Sequence, residues 1–191
     1  MNNSKLKQYV QLVQTANQNF NLTGLKTEGE IYEHLVQEII ELFNEYDSYF
    51  DHKKVADLGS GNGCPGVILK LLFPQIKTLD LIDSKHKKVN FLKEVIQTLE
   101  LNNTQALCAR IENHTEQYDT LCSRGLGSII EVNAFALKLL KPNGIIFHIK
   151  QSLDQYLEFE DSEQKDQFKP LFFKFFHGKR QQILIAMKKN V

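Results

Sequence analysis

The sequence predicts an α/β fold: a mainly parallel sheet with helices on both faces, closed by an antiparallel hairpin and preceded by a helical extension. Three observations carry this. From Lys54 onward, strand-length apolar runs alternate with runs of helical period. The first of them, Val55 to Leu58, leads into four glycines within eight residues, Gly59, Gly61, Gly63 and Gly66. Two apolar runs, Lys169 to Phe176 and Gln181 to Met187, close the chain around His177-Gly178-Lys179-Arg180. The 191 residues suit one α/β domain with an appendage, so residues 1–50 are expected as the helical extension and 51–191 as the main domain.

The extension comes first. Leu6, Tyr9, Val10, Val13, Ala16 and Phe20 recur at helical spacing, ending at Asn19-Phe20-Asn21 and the Gly24 turn. Thr27 with Glu30 forms a capping box, after which Ile31, Leu35, Ile39, Leu42, Phe43 and Tyr46 make one apolar stripe of a single second helix. Both stripes are expected on the α/β body, with the Asn-Leu-Thr turn between them free to face a substrate.

Within the body, the strands are expected at Val55 to Leu58, Thr78 to Ile82, Gln105 to Ala109, Tyr118 to Cys122 and Ile145 to Ile149. Helices fill the gaps. Val67 to Phe73 is stopped by Pro74, and Ser84 is expected to cap a helix whose apolar face is Val89, Leu92, Val95, Ile96 and Leu99. Ile129 to Leu140 follows, then the Lys141-Pro142-Asn143-Gly144 turn, and the acidic segment Asp154 to Gln167 reads as one more helix.

The chemistry concentrates in Asp57-Leu58-Gly59-Ser60-Gly61-Asn62-Gly63-Cys64-Pro65-Gly66. A strand, a glycine turn and a helix start let a flat ligand lie against backbone N–H groups, and a plain turn needs fewer glycines. Glycine spacing alone does not separate dinucleotides from other ligands. Asp57 does, because a carboxylate two residues before the first glycine repels a pyrophosphate and attracts a sulfonium, which favours S-adenosylmethionine over NAD. Asp83 ends the second strand twenty residues after Gly63, the spacing of a ribose-binding acid, with Asp80 as its competitor. Ile111 and Glu112 are expected at adenine, and Arg124 emerges at the end of the fourth strand, toward cofactor or substrate. Absence of Gly-Lys-Ser/Thr after the glycines disfavours a P-loop enzyme.

Net charge is zero, so the total implies no partner, but its distribution is uneven. Glu28 to Asp51 holds eight acids and no Lys or Arg, whereas Gln167 to Val191 holds six basic residues and no acid; these are solvated faces or, for the basic run, a phosphate-facing patch. Lys85, Lys87, Lys88 and Lys93 lie on the wet side of their helix, the first three opposing its dipole, as a polyphosphate beside them would explain. No apolar run approaches a membrane span, and Met1 to Lys7 leads into an amphipathic pattern, so a cytoplasmic protein, off the membrane, is expected. Cys64, Cys108 and Cys122 lack metal-ligand spacing; Cys108 and Cys122 are expected in the core, and Cys64 beside the ligand.

Taken with Asn21-Leu22-Thr23, Leu81-Ile82-Asp83-Ser84, Lys87-Lys88, Phe91-Leu92, Arg110-Ile111-Glu112 and Ser123-Arg124, the glycine loop resembles that of the ribosomal RNA small subunit methyltransferase G family, also called glucose-inhibited division protein B. The resemblance runs from about Asn21 to Lys188. It implies a Rossmann-like class I methyltransferase that moves a methyl group from S-adenosylmethionine to N7 of a guanosine in the 530 loop of 16S ribosomal RNA, either free or within the small subunit, and a monomer is expected. By similarity Gly59, Cys64, Ile111, Glu112 and Arg124 stand at cofactor positions, beside Asp57, Gly61, Gly63 and Asp83. His34 matches a histidine in the family's second helix. Asn21, His34, Lys87, Lys88, Lys150, Lys179 and Arg180 are the expected RNA contacts, with Phe20 as a surface for an unstacked base, and Arg124 is the expected catalytic residue. The chain departs from the family's usual pattern at Gln37-Glu38, Gly125 and Gln151. A small-molecule methyltransferase on the same fold would instead have a closed apolar pocket over the glycine loop, and a nucleotide-binding module without chemistry is a third class.

Overall fold

The computed structural model describes residues 3–190; Met1, Asn2 and Val191 lie outside the described residues. A seven-stranded sheet runs in the order β3-β2-β1-β4-β5-β7-β6. Its strands are β1 (Lys54–Leu58), β2 (Thr78–Asp83), β3 (Thr104–Cys108), β4 (Tyr118–Arg124), β5 (Leu140–Lys150), β6 (Phe168–His177) and β7 (Gln181–Lys189). The first five are parallel, and β7 is antiparallel to both β5 and β6. The chain moves outward from β1 through β2 to β3, then returns to place β4 on the other side of β1. That reversal opens a crevice at the carboxyl ends of β1 and β4, where ligands bind such sheets.

Helices α1 (Asn3–Asn19), α2 (Glu28–Ile31), α3 (Glu38–Phe43), α4 (Gly66–Leu72), α5 (His86–Thr98), α6 (Ile129–Leu139) and α7 (Asp154–Glu160) surround the sheet. Strand alternation splits its apolar side chains between two cores. Val55, Leu79, Leu81, Phe147 and Leu184 pack with the N-terminal helices, α4 and α5, whereas Ala56, Leu58, Ile82, Ile146 and Ile183 pack with α6 and Phe159 of α7. Aromatic rings seat the N-terminal helices, with Phe43 edge-on to Phe147 at 5.4 Å and Phe50 stacked between Phe147 and Phe73.

The predicted elements form, with several corrections. The second helix is not continuous: Tyr32–Gln37 is π-helical between α2 and α3, with the Glu38 N–H reaching back to the Glu33 carbonyl. Ser84 caps nothing. Helix α5 begins later, Lys85 takes the N-cap position without a side-chain cap, and the Lys85 N–H donates to Asp83 Oδ1 at 2.8 Å. Strand β5 starts before the predicted turn. Tyr118 pairs with Leu140 and Thr120 with Ile145, so residues 141–144 bulge outward with Asn143 at φ +60°. The acidic segment is helical only to Glu160, with a 3-10 turn at Lys165–Gln167. Cys122 is buried as expected, but Cys108 is exposed, because it ends the edge strand β3.

The segregated charges meet in the fold. The acidic helices lie beside the terminal hairpin, so Lys174 pairs with Glu45 at 3.4 Å and Lys179 with Glu33 at 2.7 Å. Among the described residues no helix is long and apolar enough to cross a membrane.

Candidate methyl-transfer site

The glycine loop is built from both sides. Its backbone needs positive φ at Gly59 (+71°) and Gly61 (+55°), which only glycine adopts without strain. Gly61 N–H donates to Asp83 Oδ2 at 3.0 Å and Gly66 N–H to Asp57 Oδ2 at 3.0 Å. From the far side, the buried Tyr9 of α1 donates its hydroxyl to the Asn62 carbonyl at 3.1 Å. The N-terminal extension therefore buttresses the loop.

Two cavities adjoin across this loop, sharing Gly59, Lys88, Gly125 and Gly127. The first, about 790 Å³, lies between the loop and the ends of β4 and β5. Lys88, Arg124, Lys150 and Arg180 line it together with His34, and its lining contains no carboxylate. The second, about 510 Å³, carries Asp83, Glu112 and Glu131 together with Lys85, Lys88 and Arg110, beside apolar Ile111, Leu126 and Phe135. One is cationic; the other mixes acids and bases with a greasy wall.

The expected site residues divide accordingly. Gly59, Gly61, Cys64, His34, Lys88, Arg124, Lys150 and Arg180 border the first cavity, and Asp83, Ile111 and Glu112 the second. Asp83 rather than Asp80 reaches the site; Asp80 accepts from the Tyr118 hydroxyl at 2.6 Å inside the sheet. Asp57 and Gly63 lie outside both cavity linings. The Asp57 side chain is buried behind the loop, where burial pushes its carboxyl up to about 7 against the opposing Gly66 N–H, and Oδ1 has no hydrogen-bond partner among the described residues. A Cβ on Gly63 would stand 2.8 Å from Val67, so that glycine serves the packing of α4.

Four substrate expectations fall outside both linings. Asn21 is exposed, and its neighbours Leu22 to Leu25 take the position, clamped by Asn17, whose Oδ1 accepts the Leu22 and Thr23 N–H groups at 3.0 and 2.9 Å. Lys87 points to solvent on α5, and Lys179 is drawn to Glu33. Phe20 packs half-buried against the core instead of presenting a face to the cavity.

Sequence reasoning missed Glu38 and Glu131. His34 Nδ1–H donates to Glu38 Oε1 at 2.6 Å, and the i, i+4 spacing was visible. Ser128-x-x-Glu131 is a capping-box signature that marks the start of α6 beside the second cavity. Lys150, at the end of β5, donates to the Gly127 carbonyl; its burial pulls its pKa down.

Residues 2–184 match the GidB family, rRNA small subunit methyltransferase G. The chain belongs to this family. Over all 191 residues it is 59% identical to ribosomal RNA small subunit methyltransferase G of Mycoplasma genitalium, with the whole of both chains covered. Among solved structures, ribosomal protein L11 methylase from Lactobacillus delbrueckii subsp. bulgaricus superposes with a TM-score of 0.66 at 15% identity, over 83% of this chain and 80% of that one. Precorrin-6y C5,15-methyltransferase from Geobacter metallireducens gives 0.60 at 15%, over 82% and 92%. These neighbours show the class I methyltransferase fold. They act on different substrates, so the fold alone does not choose among them. Membership in the methyltransferase G family makes this an rRNA-modifying enzyme.

Proposed function

We propose that the protein transfers a methyl group from S-adenosylmethionine to N7 of a guanosine in the 530 loop of 16S ribosomal RNA. The carrying observation is the pair of unlike cavities joined at the glycine loop. The second cavity, unlike the first, carries carboxylates, and it fits the nucleoside half of the cofactor: Asp83 suits ribose hydroxyls, Glu112 an exocyclic amine, and Ile111, Leu126 and Phe135 a flat base. The cationic cavity, with no carboxylate in its lining, suits an RNA acceptor and its phosphates. This differs from the closed apolar pocket of a small-molecule enzyme.

When bound, S-adenosylmethionine supplies an electrophilic methyl group on a sulfonium. N7 of guanine carries a free lone pair at neutral pH, so no side chain has to remove a proton. The residues act by placement: Arg124 and Lys150 emerge on neighbouring strands, with Arg124 paired to Ile149 in the ladder, and hold the base from one side. Holding nucleophile and methyl carbon in line can lower a barrier by roughly 7–11 kcal/mol relative to dilute reactants.

The test maps tritium from labelled S-adenosylmethionine onto small-subunit RNA from cells lacking the protein, followed by reductive cleavage selective for 7-methylguanosine. One labelled, cleavable guanosine in the 530 loop is expected. Label at a cleavage-resistant position, or none in RNA, overturns the proposal.

A further inference from the structure

Arginine carries five N–H donors, and Arg124 has three engaged. Nη1 donates to the His34 carbonyl at 2.8 Å and to Cys64 Sγ at 3.0 Å, and Nη2 donates to Glu38 Oε2 at 2.8 Å. Two donors remain without a partner among the described residues, on a side chain that lines the cationic cavity. Three contacts from two separate chain segments fix the plane of the guanidinium, and with it the direction of those two donors.

Glu38 is the anionic member of this set. It is 1% exposed and outside both cavity linings, yet both of its oxygens serve residues that line the cationic cavity: Oε1 accepts from His34 and Oε2 from Arg124. A carboxylate buried this far is costly unless paired, so its position is set by those two partners. The backbone around it is adapted to the same end. Over the π-helical turn, the His34 carbonyl accepts from Arg124, and the Leu35 carbonyl accepts from the Cys64 thiol at 3.4 Å. Single π turns inside α-helices are frequent at functional sites.

We infer that Glu38 is a positioning residue for methyl transfer: it aims the two remaining Arg124 donors at the acceptor and couples the placement of the N-terminal helices to the site. This rests on the RNA methyl-transfer reading above. Glu38 touches neither cofactor nor base.

The test is a double-mutant cycle on the full-length protein, comparing wild type, Glu38→Gln, Arg124→Ala and the double variant. Single-turnover methylation of small-subunit RNA is measured with saturating S-adenosylmethionine, and cofactor affinity by calorimetry. Glu38→Gln keeps the shape and removes the charge. It is expected to slow the single-turnover rate about 10- to 100-fold, the scale of a small misplacement, with the cofactor dissociation constant within about threefold of wild type. In the Arg124→Ala background the same change is expected to cost less than about twofold, because the residue it acts through is gone. An unchanged rate for Glu38→Gln, or an equal factor in both backgrounds, overturns the inference. If Glu38→Gln does not fold, Glu38→Asp, which withdraws the carboxylate by one methylene, is read by the same criteria. A wild-type protein that leaves RNA unlabelled removes the functional reading instead.

Discussion

Asp83 Oδ2 accepts the Gly61 N–H at 3.0 Å while Oδ1 accepts the Lys85 N–H at 2.8 Å, so one carboxylate ties the glycine loop after β1 to the turn after β2. The same side chain borders the second cavity. We predict that Asp83→Ala lowers stability by about 1.5–3 kcal/mol, the range for hydrogen bonds to a charged group. S-adenosylmethionine affinity should fall at least about tenfold, and calorimetry showing wild-type affinity would count against Asp83 as a ligand contact.

Gly61 and Gly66 should fail in different ways. At Gly61 the backbone is left-handed, and an added Cβ lies 3.5 Å from Lys88 Nζ at the cavity edge. Gly61→Val is expected to remain folded, at a strain of about 1–2 kcal/mol, while losing cofactor binding. A Cβ on Gly66 would lie 2.5 Å from Leu81 Cδ2 and 2.8 Å from Asp57 Oδ2. Gly66→Ala is therefore expected to lose about 1–3 kcal/mol of stability through overpacking. Thermal melting with and without S-adenosylmethionine separates the two cases.

Arg180 lines the cationic cavity, whereas its neighbour Lys179 is paired with Glu33. Arg180→Ala is predicted to weaken RNA binding and reduce the slope of log affinity against log salt by about one. Lys179→Ala and Lys87→Ala should change that slope much less. Equal slopes for all three variants, measured by filter binding between low and moderate salt, would show that the hairpin acts as a diffuse basic patch.

Two buried groups give opposing pH responses. Burial pushes Asp57 up from 3.8 to about 7, so the native state keeps a proton that the unfolded chain releases, and stability falls as pH rises from about 4 to 7. Burial pulls His148 down from 6.5 to about 3, so the unfolded chain takes up a proton that the native state refuses, and stability is lost as pH falls through that window. Between about pH 4 and 6.5 the two slopes oppose each other. Asp57→Asn removes one of them, and denaturant titration of that variant should show stability rising with pH by up to about 1.4 kcal/mol per unit relative to wild type. Parallel profiles for the two proteins would return Asp57 to an ordinary carboxylate.

Much of the fold was legible because its signals are local. The Thr27–Glu30 capping box, the Val55 to Leu58 run and the terminal hairpin each depend on neighbours a few residues apart, and each forms. The glycine loop was legible for the same reason: positive φ at Gly59 and Gly61 is a property of short range. The π-helical turn was not, since Tyr32 to Gln37 has an ordinary helical pattern and its widened backbone is sustained by donors from Arg124 and Cys64, far away in sequence.

The sequence by itself determined the sheet, the loop and the strand-end acid, because hydrophobic period and turn chemistry are written along the chain. Only the tertiary structure decided which charges are available. It paired Lys179 with Glu33, Arg124 with Glu38 and Lys88 with Asp83, left Arg180 facing the cavity, and buried Asp57 outside both cavity linings. Charges act over distances in space that do not follow the order of residues, so which of two like residues is neutralised depends on the packing that brings a partner to it.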